Sequence, residues 1–329
     1  MSDLRIDTHV PGMTDGGAEA AARAEELGFD AVYTSETEQD AVLSLPLVAE
    51  HTDSVSLGTR VTLAFTRSPM VLAYQGWALQ RYSNGRFVLG LGTQVKGHNE
   101  RRFSVEWTSP GPRLREVVES IRHVWSVWQG DSAELDYQGE HYSFSLMTET
   151  FDPGPIDHPH VPIYIAAVNE YNVRLAGEVC DGLHMHSFNT PAYTEDVIGP
   201  LVAEGAERAD RPREVVSLSA SPFVVTGETE EERDRKREEV RRRIAFYGST
   251  RTYHDVLEHH DWKSVGEELH ELSKEQAWDQ MTDLVSDEMV ATFALEADPA
   301  ELRAEALDVY GDVADRIALP LEHGEAFME

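Results

Sequence analysis

The side chains of this protein that could take part in chemistry follow a series of short apolar runs. They are carboxylates, neutral polar groups, aromatic rings and histidines, namely Glu36, Glu38, Phe65, Thr93, Gln94, His98, Asn169, Glu170, His184, His186 and Phe188. No P-loop, GxGxxG, nucleophile elbow or CxxC motif occurs in the sequence. Such a set does not suit hydrolysis, which needs a metal or an activated nucleophile. It suits a site that binds a flat organic cofactor and supplies orientation and one proton.

Two closely spaced histidines, His184 and His186, raise the question of a metal site. Alternation along a strand would point both side chains to the same face. Two histidines can bind a metal, but no third ligand at a suitable spacing accompanies them. We therefore predict that they line a pocket and that the protein has no metal centre.

The stretch from Arg86 to His98 organises the rest of the chain. Phe87–Leu91 predicts a buried parallel strand, and Gly90 and Gly92 remove side chains near its end, where another backbone or a ligand comes close. The polar segment from residue 93 to 98 then leaves the carboxyl end of this strand. That end is where α/β proteins place their chemistry.

Apolar runs and helical segments alternate along the whole sequence. We predict eight strands at Leu4–Val10, Phe29–Ser35, Val55–Leu63, Phe87–Leu91, Val161–Ala167, Gly182–His186, Val215–Val225 and Met289–Leu295. This alternation predicts one (β/α)8 TIM barrel domain over residues 1–329, with a doubly wound open sheet as the alternative.

Two segments are predicted to be insertions in this barrel. Residues 131–161, after strand four, are polar and proline-rich and could hold a small hairpin. Residues 228–288, between strands seven and eight, are helical and begin with the capping box Thr229–Glu232. Pairs four residues apart, such as Glu239 and Arg243, predict a solvated helix face in this insertion.

The charge of the chain is strongly acidic. Lys+Arg number 28 against 60 Asp+Glu, for a formal net charge of −32, and only four of the basic residues are lysines (Lys96, Lys236, Lys263, Lys274). Self-repulsion on this scale is tolerable where salt screens it, so the composition predicts a halophilic, cytoplasmic protein. It argues against nucleic acid and anionic membranes as partners. The one cysteine, Cys180, is predicted to be a core residue.

Several motifs carry a resemblance to a known family. They are Leu57-Gly-Thr59, Arg67-Ser-Pro-Met70, Ser83-Asn-Gly-Arg-Phe-Val-Leu-Gly-Leu-Gly-Thr93 and Leu175-Ala-Gly-Glu-Val-Cys-Asp-Gly182. Together they resemble the luciferase-like monooxygenase superfamily, and within it the branch that uses coenzyme F420, an 8-hydroxy-5-deazaflavin. The resemblance covers nearly the whole chain and implies a luciferase-like TIM barrel. It also implies a homodimer through helices two and three.

The resemblance implies where a cofactor would bind. A non-proline cis peptide would fall in strand three, at Arg60-Val61. The implied cofactor-binding residues lie after strands three, four and five, namely Arg60, Val61, Thr62, Thr93, Gln94, Val95, Ala167, Val168 and Asn169. The last three would meet the cofactor phosphate at a helix N-terminus, although Val168 and Asn169 stand where many relatives have glycine.

The resemblance also implies roles for residues around the ring. Glu36 stands where some relatives have an acid or a histidine after strand two, so it is the candidate for a proton donor or for orienting the ring. Their positions at the ends of the predicted strands, independently of the resemblance, make Glu38, Phe65, His98, His186 and Phe188 the predicted substrate-lining residues.

The function that these residues and the resemblance imply is hydride transfer between F420 and a small organic substrate. Three alternatives stay open at the level of sequence. They are an FMN-dependent luciferase-like monooxygenase, a methylene-tetrahydropterin or methylene-folate reductase, and a cofactor-binding protein without turnover.

Overall fold

The structure is a computed structural model that describes residues 4–328. Its strands are β1 (Arg5–His9), β2 (Ala31–Thr34), β3 (Ser56–Thr59), β4 (Thr62–Leu63), β5 (Phe87–Gly92), β6 (Tyr137–Gln138), β7 (Ser143–Phe144), β8 (Ile163–Ala167), β9 (Gly182–Met185), β10 (Ser217–Ala220), β11 (Phe223–Val225), β12 (Ala294–Glu296) and β13 (Arg316–Ala318).

The helices follow most of these strands in alternation. They are α1 (Gly17–Leu27), α2 (Leu45–Glu50), α3 (Pro69–Tyr82), α4 (Lys96–Arg101), α5 (Pro110–Gln129), α6 (Glu170–Val179), α7 (Pro191–Tyr193), α8 (Gly199–Arg208), α9 (Glu230–Gly248), α10 (His254–His259), α11 (Lys263–Lys274), α12 (Trp278–Asp283), α13 (Asp287–Phe293), α14 (Leu302–Tyr310) and α15 (Gly324–Met328).

Eight strand positions close into a parallel barrel, as predicted. The order around the barrel is β1, β2, β3 with β4, β5, β8, β9, β10 and β13, and the pairing of β13 with both β1 and β10 completes the ring. Strand residues are almost wholly buried on both faces, because helices cover the outside and side chains fill the inside. The fold is the predicted (β/α)8 TIM barrel.

The third strand position is interrupted. β3 ends at Thr59, β4 begins at Thr62, and the peptide bond between Arg60 and Val61 is cis. The prediction of a non-proline cis peptide at this place is confirmed. Both pieces pair with β5, so the interruption displaces two residues from the ladder without breaking the barrel.

The prediction of the eighth strand at Met289–Leu295 is wrong. Most of that segment is helix α13, whose N-cap is Ser286. The Ser286 hydroxyl accepts a hydrogen bond from the Met289 N–H at 3.2 Å. Residues 294–296 form β12, which pairs with β11 outside the barrel ladder. The barrel strand at this position is β13, three residues long and buried throughout.

The two predicted insertions are where the barrel acquires extra structure. β6 and β7 form a two-stranded antiparallel hairpin within residues 131–161. Helices α9 to α12 lie within residues 228–288, and α9 packs against α11, α12 and α13. The prediction of an ion pair between Glu239 and Arg243 is wrong, because Glu239 lies 3.8 Å from Lys236 instead. Arg243 places its guanidinium 4.7 Å from the ring centroid of Phe223.

The core lies both inside the barrel and between the barrel and its helices. Trp77 on α3 stacks on Trp125 of α5 with 6.2 Å between ring centroids, as expected for a core-facing stripe. Cys180 is fully buried, as predicted. Over residues 4–328, none of the helices combines the length and the apolar character that a membrane crossing would require.

Candidate active site

The residues predicted to do chemistry gather at one end of the barrel. All eight strand positions run parallel, so their carboxyl ends meet at the same rim. Glu36 follows β2, Arg60 and Val61 follow β3, Thr93 follows β5 and His186 follows β9. Strand geometry alone therefore brings together positions more than a hundred residues apart in sequence.

An ion pair fills the barrel interior. Arg316 of β13 donates from Nε to Oδ2 of Asp7 at 2.8 Å and from Nη2 to Oδ1 at 2.5 Å. Asp7 is fully buried, and burial raises its pKa while Arg316 opposes that rise. Burial likewise works against the charge of Arg316, but Tyr33 and Asp7 outweigh it and raise the pKa of the guanidinium. Each charge is thus satisfied by the other.

Arg60 sends its side chain across the barrel from the interrupted third strand. Its Nη1 donates to the hydroxyl of Ser219 at 2.8 Å, and its Nη2 donates to the carbonyls of Ser219 at 2.9 Å and Met185 at 3.3 Å. All three acceptors are neutral. Burial lowers the pKa of Arg60 to about 10, partly opposed by Tyr33 and Asp7, so the group still carries its positive charge at neutral pH.

Three histidines surround this guanidinium and stay neutral. Desolvation and the charge of Arg60 lower the pKa of His9, at the end of β1. Burial and Arg60 hold the pKa of His184 well below its ordinary value. Burial, Arg243 and Arg60 lower the pKa of His186 to about 4. His9 lies at the barrel rim, at the carboxyl end of β1.

Two tyrosines from the helical insertion hold the His186 ring. The Phe188 N–H donates to Nδ1 of His186 at 2.9 Å, which assigns the ring proton of the neutral form to Nε2. The ring centroids of Tyr247 and Tyr253 lie 4.6 Å and 4.7 Å from that of His186. His186 therefore joins the barrel rim to the insertion.

Glu36 is held by four hydrogen bonds. Arg67 donates from Nη1 to both carboxylate oxygens, at 3.0 and 2.9 Å, and also contacts Asp40. The Thr62 hydroxyl and the Leu63 N–H donate to the same Oε2 at 2.6 and 2.9 Å. These contacts tie the end of β2 to β4, on the far side of the interruption. They are the contacts of a residue that orients its surroundings.

The segment after β5 provides a flat and partly open surface. A Cβ on Gly92 would lie 2.5 Å from Cγ2 of Val61, so glycine lets the interrupted strand approach closely. Gln94 has a positive φ of 57°, and its side-chain oxygen accepts from the Val95 N–H at 3.0 Å. The Thr93 carbonyl accepts from Asn99 Nδ2 at 2.9 Å, and Val95 is 56% exposed.

The turn after β8 leads into the ten-residue helix α6. Asn169 is its N-cap, and its side chain accepts from the Asn172 N–H at 2.9 Å. Ala167 is buried and Val168 is half-buried. This turn is shaped as a helix start, with the carboxylate of Glu170 in the first turn held by Arg174 at 3.0 Å.

The predicted substrate-lining residues differ in how far they face the mouth. His186 is half-buried at the rim, whereas Glu38 and His98 are exposed on the segments that follow β2 and β5. Phe65 is buried under the guanidinium of Arg113, 4.5 Å from its ring centroid. Phe188 is 1% exposed and stacks on Phe293, so it supports the rim from behind.

Sequence reasoning missed four side chains of this site. His9 could have been found, because the strand-end rule that selected the other residues applies equally to the end of β1. Arg67 lies in one of the motifs quoted for the resemblance, but its partner Glu36 is 31 residues away. Ser219 and Tyr247 reach the site only through the register of β10 and the docking of α9, which no local pattern encodes.

The donors at the barrel mouth are neutral polar groups and one guanidinium, that of Arg60, which is not ion-paired. No cluster of three His, Cys, Asp or Glu side chains suited to a metal occurs within residues 4–328. A planar organic ring, such as a deazaflavin or a flavin, would find hydrogen-bonding partners among such groups.

Comparisons with known proteins agree with this reading. The model of the luciferase-like monooxygenase family matches residues 5–316. An uncharacterized protein of Mycobacterium tuberculosis is 41% identical over 292 residues, which cover 89% of this chain and 86% of the relative. The F420-dependent glucose-6-phosphate dehydrogenase of Amycolatopsis mediterranei is 32% identical over 211 residues, 60% of this chain and 61% of that protein.

Solved structures share the fold over the full chain. The coenzyme F420-dependent tetrahydromethanopterin reductase from Methanopyrus kandleri gives a TM-score of 0.79 at 20% identity, covering 99% of this chain and 97% of its own. A riboflavin lyase solved with a modified FMN gives a TM-score of 0.70 at 15% identity, covering 99% and 90%. Likeness at such low identity speaks for the architecture alone.

Proposed function

Because the chain belongs to the luciferase-like monooxygenase family, we propose that it is an oxidoreductase that moves a hydride between coenzyme F420 and a small organic substrate. The observation that carries this proposal is the composition of the barrel mouth, where neutral polar groups lie around the unpaired guanidinium of Arg60. The described residues include no cluster of side chains suited to a metal. Support for F420 in particular comes from the relative named as an F420-dependent dehydrogenase.

The cofactor, when bound, supplies the hydride chemistry, so the protein need supply no redox group of its own. Arg60, Val61 and Thr62 would border its ring from the interrupted strand, together with the segment from Thr93 to Val95. The turn from Ala167 to Asn169 would meet its phosphate, as the resemblance implies.

Glu36 would act by positioning. Its carboxylate fixes the end of β2 to Thr62 and Leu63, next to the residues that would border the ring. The neutral histidines would add no positive charge of their own, so that the positive field at the rim comes from Arg60 and Arg243. His186, with a proton on Nε2, is the side chain at the rim that could donate a hydrogen bond to a substrate.

The second candidate is an FMN-dependent monooxygenase. The name of the family to which the chain belongs, luciferase-like monooxygenase, supports this alternative. This enzyme would need oxygen and a supply of reduced flavin. A methylene-tetrahydropterin or methylene-folate reductase is a narrower form of the F420 proposal, supported by a 28% identical relative named as a 5,10-methylenetetrahydromethanopterin reductase.

The experiment that tests the proposal is a titration of the purified protein, in molar salt, with F420 and separately with FMN. Fluorescence of each cofactor reports binding, and each serves as the control for the other. We expect saturable binding of F420 in the micromolar range or tighter, which corresponds to about 8 kcal/mol or more. Binding of FMN alone would overturn the proposal and call for an oxygen-consumption assay. Binding of F420 without turnover on any substrate would favour a cofactor-binding protein.

A further inference from the structure

The guanidinium of Arg60 has positive charge and donors that the protein does not use. Of its five N–H groups, three are accounted for by the contacts with Ser219 and Met185. None of these contacts is to a carboxylate. In a chain with a net charge of −32, where most arginines on the helices lie beside an acid, such a cation inside the barrel is unusual.

The acid that acts on Arg60, Asp7, is already ion-paired with another arginine. Asp7 gives both oxygens to Arg316, so that pair is neutral as a unit. The other titratable groups around Arg60 are His9, His184, His186, Tyr33 and Tyr164. The histidines are neutral at physiological pH and so are the tyrosines, whose pKa values burial raises. Arg60 therefore carries a positive charge that is not ion-paired.

The charge of Arg60 costs free energy in this position unless a ligand of opposite charge pairs with it. Isolated charges are expensive to take out of water, and buried charges in proteins are normally paired. Arg60 is half-buried, and the neighbouring His9 is open to solvent. This partial exposure, at the carboxyl end of β3, leaves Arg60 accessible from the barrel mouth.

We propose that Arg60 recognises an anion in this site. The ligand with which it pairs carries a negative charge beside the interrupted third strand. This inference rests on the proposed function and deepens it. Two sources could bring the charge. Addition of a hydride to a neutral ring delivers two electrons and one proton, so the reduced ring gains one negative charge. An acidic substrate, with a carboxylate or phosphate group, is the other source.

The first arm of the test compares oxidised and reduced F420. Their dissociation constants are measured for the wild type, Arg60→Lys and Arg60→Met in the same molar salt. If the ring brings the charge, Arg60→Met weakens binding of the reduced form at least tenfold more than of the oxidised form. For a two-electron couple, that tenfold change lowers the midpoint potential of the bound cofactor by about 30 mV. Arg60→Lys should retain most of the preference.

The second arm needs no cofactor. Benzoate and benzamide have nearly the same shape and differ in charge, so their affinities for the wild type and for Arg60→Met isolate the charge of the ligand. If the substrate brings the charge, the wild type prefers benzoate at least tenfold, and Arg60→Met loses that preference. Ser219→Ala, which removes one neutral partner of Arg60 and keeps the cation, should preserve it.

The outcomes separate this inference from the proposed function. A folded Arg60→Met variant, with unchanged Tm, that alters neither the ratio for the two cofactor forms nor the benzoate preference overturns the role of Arg60. A wild type that binds no F420 overturns the proposed function, while the benzoate arm still decides the inference. If Arg60→Met does not fold, Arg60→Gln keeps a donor toward Ser219 without the charge and replaces it in both arms.

Discussion

Two arginines lie within the barrel, and their surroundings are opposite. Arg316 is buried and gives two hydrogen bonds to Asp7, which gives both oxygens in return. Arg60 is half-buried, bonds only to neutral acceptors, and has a pKa lowered to about 10. One cation is closed within the core, and the other is open at the mouth.

The difference between the two arginines separates the part of the barrel that stabilises the fold from the part that is available to bind a ligand. A charge that is satisfied inside the protein contributes to folding or at least does not oppose it, but becomes costly if its partner is removed. A charge that lacks a partner in the protein is available for binding, because a ligand can make the ion pair that the protein does not make.

The largest effect is expected from Arg316→Met. This change leaves the Asp7 carboxylate buried and unpaired, which should lower the free energy of unfolding by about 3–5 kcal/mol. Denaturant unfolding in molar salt measures it. Arg60→Met is the matched control and should cost less than about 1 kcal/mol, because it removes only bonds to neutral groups at a partly open position. Equal losses in the two variants would erase the distinction between the two arginines.

A second variant sharpens the same prediction. The double variant Asp7→Leu/Arg316→Met replaces both partners, so no unpaired carboxylate is left in the barrel interior. We expect this double variant to recover a large part of the lost stability. If it is no more stable than Arg316→Met alone, the loss reflects packing and not charge.

The next effect concerns the histidine between Arg60 and Arg243. The folded pKa of His186 is about 4 against about 6.5 unfolded, so below pH 6.5 the unfolded state takes up the proton first. Stability should therefore fall as pH drops from 6.5 towards 4, by about 2 kcal/mol from this residue. His186→Asn keeps an acceptor for the Phe188 N–H and cannot take up the proton. Unfolding curves at pH 4.5 and 7 should differ less for this variant than for the wild type; an unchanged difference would contradict the assignment.

The smallest effect is expected from Glu36→Gln. The amide weakens the charge-assisted bonds from Arg67, while Arg67 keeps Asp40, so the free energy of unfolding should fall by about 1 kcal/mol. Turnover should fall while F420 affinity, measured by fluorescence, is spared. The exposed Glu207 on α8 provides the matched control, Glu207→Gln, which should change neither quantity. Full turnover in Glu36→Gln would remove Glu36 from the mechanism.

Much of the fold could be predicted from the sequence, because apolar runs bounded by glycine and helix caps mark most strands. The failure at strand eight has a physical reason. The run from Met289 to Leu295 is apolar enough for a strand, but Ser286 followed by two acids is a helix start, and it prevails. The true strand, Arg316–Ala318, is short and begins with an arginine, which hydrophobic patterns exclude.

The site could be predicted only in part, for a similar reason. Positions at strand ends follow from strand assignment, which is why Glu36, Thr93 and His186 could be named. The role of Arg60 depends on what its side chain meets across the barrel, in β9 and β10. Arg243 was expected to pair with Glu239 on its own helix, but Lys236 takes that acid. Such competition among charges is decided by tertiary contacts.

The late position of β13 in the chain has a consequence for how the protein is made. β13 is the strand that closes the ring between β1 and β10, and it brings Arg316 to Asp7 across a separation of 309 residues. During synthesis, the first seven strand positions emerge while two sheet edges stay unpaired, and contacts of such long range form slowly. Closure therefore waits until β13 has been synthesised. Until then the two open edges of the nascent sheet can pair with other chains.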